Sequence, residues 1–184
     1  MNLDILQRFH EEDLSYDDMV QRETELYNSM RYNDIIGNAL CFHAGQGNLG
    51  AVKRLVKHKN ADVNVHNGFP LRMSAMFGKT DVVIFLLRHG ADSNALDNAA
   101  IRYSAFNGHD DIVRILIKCK ANIHVNEDEP LRKSSENGHF NTVKILLKYG
   151  AKPTAMDNYA VVKARQNGYN DIADYIEEFM KEDE

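Results

Sequence analysis

The sequence has few cysteines and no long hydrophobic run. Cys41 and Cys119 lie far apart, so they suggest no disulfide framework and fit the reduced thiols of a cytosolic protein. The longest aliphatic run, Val82–Leu87, is too short to span a bilayer. No charged and then apolar leader precedes a small-residue cleavage site at the N-terminus. We therefore expect a cytoplasmic protein that does not bind membranes.

An excess of basic residues is also lacking. The 184 residues include 22 Lys and Arg against 27 Asp and Glu, which gives a formal net charge of −5. Residues 1–34 alone hold nine acids and three bases, whereas the remainder is close to neutral. General binding of nucleic acid needs a basic surface that displaces counterions, so we do not expect it. The hydrophobic fraction of 43% and charged fraction of 27% are ordinary for a soluble globular protein.

The sequence contains an internal repeat. Gly78, Gly108, Gly138 and Gly168 are each 30 residues apart, and Gly47 lies 31 residues before Gly78. Apolar residues recur with the same period, which predicts five units. One such column consists of Leu40, Leu71, Ile101, Leu131 and Val161.

Each unit has the pattern of two helices. In the second unit, Pro70 suits the first turn of a short helix with a small apolar face, and Gly78 ends that helix. A second amphipathic helix follows, with its apolar stripe at Val82, Val83, Leu86 and Leu87. A turn-rich link such as "NALDNA" leads to the next unit. A pair of this kind cannot enclose a core by itself, so the sequence predicts an all-α solenoid of stacked units.

The stretch "PLRMSAMFGKTDVVIFLLRHGADSN" resembles the ankyrin repeat, and the resemblance covers about residues 36–180. It implies an ankyrin-repeat solenoid of about five helix-turn-helix units with an N-terminal helical cap. We expect residues 1–35 to form an acidic helical cap or, alternatively, a separate docking segment. The ankyrin-repeat domain would then comprise 36–184, with units at about 36–66, 67–96, 97–126, 127–156 and 157–184.

This sequence departs from the family pattern in two ways. The period is 30 residues rather than about 33, and the missing residues come from the link, so we expect shorter projecting hairpins. Arg72, Arg102 and Arg132 replace the histidine at the start of the first helix. They would either donate to carbonyls of the neighbouring link or bind an acidic partner. The short period resembles arrays of large DNA viruses, phages and some bacteria.

We predict no catalytic residue, no cofactor site and no metal site. Cys41 and His43 are not followed by a second ligand pair of zinc-site spacing. His109 and His139 occupy the family's Gly-His position, which implies that they hydrogen-bond to nearby backbone. The protein is therefore not expected to be an enzyme.

The resemblance implies a protein-binding surface on the link tips and the first-helix face. Large apolar residues at these positions in units two and three should lie together and contact a partner. The alternative is that the shortened links let them fold inward as ordinary packing. The predicted partner-binding residues are His66, Phe69, Met73, Phe77, Leu96, Tyr103, Phe106, Asn107, Glu136, Met156 and Tyr159.

These features favour a non-catalytic module, monomeric on its own, that blocks or scaffolds a partner protein whose identity the sequence does not reveal. A viral or phage origin would make it an inhibitor of a host factor in the host cytoplasm. The alternatives are a bacterial immunity or antitoxin protein, and an adaptor in which residues 1–35 recruit a second protein.

Overall fold

Ten helices follow one another through residues 35–182 of the computed structural model, and these residues contain no strand. The structure describes these residues and Gln21. The predicted all-α class is confirmed. The predicted cap over residues 1–35 lies outside the described residues, apart from Gln21 and Ile35.

The helices form five consecutive pairs, which we number as units one to five. The first helices of the pairs are α1 (Ile35–Gln46), α3 (Val65–Met76), α5 (Ala95–Phe106), α7 (Val125–Glu136) and α9 (Ala155–Gln166). The second helices are α2 (Leu49–Lys59), α4 (Thr80–Arg88), α6 (Asp110–Lys118), α8 (Phe140–Lys148) and α10 (Asn170–Glu182).

The units stack into two layers. Each first helix packs against the first helix of the next unit, and each second helix packs against the next second helix. The repeating apolar columns lie between the layers, where Leu71, Ile101 and Leu131 are fully buried. Burying one such side chain contributes about 1.5–3 kcal/mol. Because a single hydrophobic cluster extends through all five units, each unit completes its core against a neighbour.

The four links contain a left-handed turn in place of the expected short hairpin. This turn lies within the first residues of α3, α5, α7 and α9, before the regular right-handed part of each helix. In the first link, His66 (φ 52°, ψ 46°), Asn67 (φ 59°, ψ 47°) and Gly68 (φ 74°, ψ 22°) are all left-handed. Residues 96–98, 126–128 and 156–158 repeat this conformation. Eight of these twelve residues are Gly, Asn or Asp, the types that tolerate it best. At Leu96 and Met156, which lack that tolerance, the conformation costs about 1–2 kcal/mol each.

Side chains tie each link to the next one. The Oδ1 atom of Asn98 accepts a hydrogen bond from the amide of Asn122 at 2.7 Å. One unit later, Asp128 Oδ1 accepts from the amide of Lys152 at 2.9 Å. Residue 68 is a glycine and has no such group, and Asn64 Oδ1 accepts there instead, from the Asp92 amide at 2.8 Å. These bonds hold the links at a fixed spacing.

The glycines that repeat every 30 residues make room for the next unit. Gly108 has a φ of 68°, and a Cβ atom there would lie 2.5 Å from Nδ1 of His139. The other ring nitrogen of His139, Nε2, donates to the carbonyl of Phe106 at 2.8 Å. His109 donates in the same way to the carbonyl of Met76 at 3.0 Å. The predicted role of these two histidines is confirmed.

Candidate partner-binding surface

The structure corrects the expectation that two of the predicted residues are exposed. Phe69 is only 3% exposed and Tyr103 only 1%, so neither presents its ring at the surface. Phe69 packs in the main core, and Tyr103 packs with Met76 and Ala99 in a second, smaller apolar cluster. The inward packing that the sequence left open as an alternative is found at these two positions.

The other apolar residues of units two and three lie together as predicted. Met73, Leu96 and Phe106 pack around the smaller cluster and remain partly exposed. Phe77 has 36% of its surface exposed. These four side chains are partly exposed, whereas Phe69 and Tyr103 are buried.

This partly exposed set continues into unit one. The Phe77 ring reaches Gly45 of α1, where an added Cβ atom would lie 3.8 Å from Cδ2 of Phe77. Phe42 precedes Gly45 by three residues and therefore lies on the same face of α1. It is 53% exposed. We call the set Phe42, Met73, Phe77, Leu96 and Phe106 the apolar surface.

Phe42 was missing from the residues predicted from the sequence. It occupies the same position in unit one as Met73 in unit two and Tyr103 in unit three. The signal for Phe42 was therefore present in the repeat pattern of the sequence. Ile35 and Ile36, also on α1, are exposed as well, at 78% and 40%.

Units four and five carry polar networks at the corresponding positions. Arg102 Nε donates to Glu129 Oε2 at 2.8 Å, which links units three and four. Glu136 accepts from Lys133 at 3.1 Å and from the hydroxyl of Tyr159 at 3.4 Å. Two of the predicted contact residues, Glu136 and Tyr159, are thus hydrogen-bonded to each other.

The remaining predicted residues lie at the links and helix ends. His66 Nε2 is 3.1 Å from Oδ1 of Asn38 in unit one. Asn107 donates its side-chain amide to the carbonyl of Tyr103 at 2.9 Å. Met156 lies in the last left-handed turn and is 47% exposed. Met156 is remote in the repeat order from the apolar surface, which belongs to units one to three.

The arginine column splits into two roles. Arg132 donates to the carbonyls of Glu127 and Asn126, at 3.0 and 2.9 Å, in the left-handed turn just before its own helix. Arg72 is 2% exposed and donates to the corresponding carbonyl of His66 at 3.4 Å. This geometry favours the structural alternative for both, whereas Arg102 forms the ion pair with Glu129.

The family comparison agrees with this architecture. The family model described as ankyrin repeats, in three copies, matches residues 24–97 and 96–157. The chain belongs to the ankyrin-repeat family. No curated protein matches this ankyrin-repeat chain. The matched region begins after the most acidic part of the sequence and ends inside unit five.

Ankyrin repeats are protein–protein interaction modules, and the family is typically non-catalytic. Within the described part of this ankyrin array, no group of three His, Cys, Asp or Glu side chains is arranged to hold a metal ion. None of its described helices combines the length and apolar character that crossing a bilayer requires.

Proposed function

We propose that the array binds a partner protein through the apolar surface of units one to three. The observation that carries this proposal is the exposure of Phe42 and Phe77, at 53% and 36%, on neighbouring first helices. Stacking does not require an aromatic residue at the position of Phe77, because Gln46, Asn107 and Asn137 occupy it in other units. Exposed aromatic residues that lie close together commonly mark contact sites.

The polar networks of units three to five suit the edge of such an interface. Interfaces have an apolar centre surrounded by polar groups. The Arg102–Glu129 and Lys133–Glu136 pairs lie beside the apolar surface on the same layer of helices. Each of these charges is already paired within the chain. We therefore expect the pairs to orient a bound protein rather than to add much to its affinity.

The mechanism that we propose is occupation of the partner's surface, either to block it or to hold it in an assembly. The short repeat period favours a viral or phage inhibitor of a host protein, acting in the host cytoplasm. A bacterial immunity or antitoxin role is the alternative that a neighbouring toxin gene would favour. In the adaptor alternative, residues 1–35 would recruit a second protein, and residues 1–23 of that segment lie outside the matched repeats.

Replacing Phe42 and Phe77 together by serine should abolish strong binding without unfolding the array. The test captures a partner with the wild-type chain, identifies it by mass spectrometry and measures its Kd after purification. Each aromatic side chain is expected to contribute about 2 kcal/mol, so binding should weaken about thirtyfold for one residue and several hundredfold for both.

The matched control replaces Met156 and Val162 of unit five by serine, since their exposure of 47% and 45% is similar. This variant should keep the wild-type Kd. Equal affinity of the Phe42 and Phe77 variant and the wild type would reject the proposed surface, and so would a loss of binding confined to the control.

A further inference from the structure

The outer layer of helices has a strongly basic surface in units one to four. Segments 49–60, 80–90, 110–120 and 140–150 carry ten Lys and Arg residues, all exposed, and only three acids. The acids, Asp81, Asp110 and Asp111, all lie in the first turn of a helix. Six of the ten bases lie at the opposite ends of the helices or just beyond them. We define the basic surface by two columns of the repeat: Lys57, Arg88, Lys118 and Lys148, with Arg114 and Lys144 beside them.

The helix dipole accounts for only part of this pattern. Cations are stabilised in the last turn of a helix, and Lys57, Arg88, Lys118 and Lys148 all lie there. Arg114 and Lys144 lie at the middle of α6 and α8, where the dipole gives no such benefit. In unit five both columns change sign, to Glu178 and Asp174 respectively.

The basic surface is not neutralised within the described part of the chain, although its Lys144 has Nζ 4.2 Å from the centroid of the Phe140 ring. None of its six residues forms an ion pair there. Neighbouring cations at about 10 Å repel each other by only about 0.4 kcal/mol in water, so folding tolerates the surface. Their summed potential nevertheless attracts a polyanion.

The sequence supplies such a polyanion in the same chain. Residues 1–23 contain seven acids and two bases, and the stretch "EEDLSYDD" at 11–18 contains five acids and no base. This acidic segment, residues 1–23, lies outside the matched ankyrin repeats, which begin at residue 24. It is therefore not part of the repeat sequence itself.

The acidic segment is joined to the array at a place from which it can reach the basic surface. Only Gly47 and Asn48 separate α1 from α2, so these helices run antiparallel and α1 starts at the end of the unit where Lys57 lies. The sixteen residues from 19 to 34 connect the acidic stretch 11–18 to α1 and can reach at most about 50 Å, whereas the four cations of one column span about 30 Å at roughly 10 Å per unit. Such a tether gives an effective concentration on the order of millimolar.

We propose that the acidic segment binds the basic surface of its own chain, with residues 11–18 as the main contact. The surface is then occupied until a stronger anionic protein segment displaces it, and other polyanions are kept away. This inference concerns the second-helix layer, whereas the proposed partner-binding function concerns the first-helix layer. Either can fail without affecting the other.

Cys119 offers a direct test. It is exposed beside Lys118, whereas Cys41 is buried, so a nitroxide label can be placed on Cys119 of the full chain selectively. In about 0.01 M NaCl, the amide NMR signals of residues 11–18 should be broadened relative to a diamagnetic label. In about 1 M NaCl the signals should recover, since the Debye length falls from about 30 Å to about 3 Å.

Charge reversal supplies the matched controls. The variant Arg88→Glu with Lys148→Glu should lose the broadening at low salt, because two cations of the surface become acids. The variant Lys152→Glu with Lys163→Glu makes the same change in net charge away from the surface and should keep the broadening. Unbroadened signals in the wild type at low salt, or broadening that survives Arg88→Glu with Lys148→Glu, would overturn the inference.

Discussion

Replacing Gly108 by alanine is expected to lower the free energy of unfolding by about 3 kcal/mol. The φ of 68° costs about 1 kcal/mol for a residue with a Cβ atom. That atom would also lie 2.5 Å from Nδ1 and 2.7 Å from Cγ of His139, so the ring must move. Movement breaks the partly buried bond from His139 to the Phe106 carbonyl, and leaving these groups unsatisfied costs about 1–2 kcal/mol. Urea unfolding followed by circular dichroism measures the loss.

Gly90 is the matched control for this prediction. Its φ is 88°, and an added Cβ atom would meet nothing within 4 Å. Gly90→Ala should therefore lower the free energy of unfolding only by the cost of the left-handed backbone conformation, about 1 kcal/mol. The difference between the two variants isolates the contact between units three and four. Equal losses would show that His139 does not hold these units together.

Replacing Arg132 by methionine is expected to cost about 2–3 kcal/mol, because hydrogen bonds from a charged donor contribute about 1.5–3 kcal/mol. The side chain is 6% exposed and donates to two carbonyls of the left-handed turn before its helix. Methionine keeps most of the aliphatic volume and removes both donors. Lysine should not restore stability, since it lacks the planar fork that reaches both carbonyls. Thermal and urea unfolding both report the loss.

Arg102 gives the comparison within the same column. Its guanidinium pairs with Glu129, which also accepts a bond from the side-chain amide of Asn126 at 2.7 Å. The Arg102 and Glu129 side chains are only 13% and 15% exposed, so Arg102→Met leaves a mostly buried carboxylate held by Asn126 and should cost about 1–3 kcal/mol. If Arg132→Met unfolded like the wild type but lost a partner, the alternative of an acidic partner at this column would be correct.

Much of the fold was predictable because stacking imposes a strict period on the sequence. Leu71, Ile101 and Leu131 recur at one position because the same gap between helix layers must be filled in every unit. The histidines at 109 and 139 follow glycines for a related reason, since each ring occupies the space that the preceding unit's glycine leaves free. The 30-residue period and the residue types that recur in it were therefore enough to predict how the units stack.

The conformation of the links was not predictable in the same way. Asn and Asp at the tips indicated a turn, but three consecutive left-handed residues exceed what local propensity favours. Leu96 and Met156 argue against that conformation locally, and the turn of Leu96 is instead stabilised by a bond between links, from the Asn122 amide to Asn98 Oδ1.

The candidate surface was predicted only in part, because the position of a residue in the repeat does not determine how deeply its side chain is buried. Met73 and Tyr103 occupy the same position in adjacent units, yet Met73 is partly exposed and Tyr103 is 1% exposed. The difference depends on the neighbouring side chains, including Met76 and Ala99, which enclose the Tyr103 ring. Only the three-dimensional packing reveals which aromatic residues a partner can reach.

Amide hydrogen exchange tests most directly the claim that each unit completes its core against its neighbours. Leu116 of unit three and Leu146 of unit four are both fully buried, and neither is adjacent to Gly108 in the chain. In Gly108→Ala, the weakened contact between these units should lower the protection of both amides together. If Leu146 kept its wild-type protection while residues around Gly108 lost theirs, units four and five would be stable without the contact to unit three, and the account of one core that is continuous through the whole stack would be contradicted.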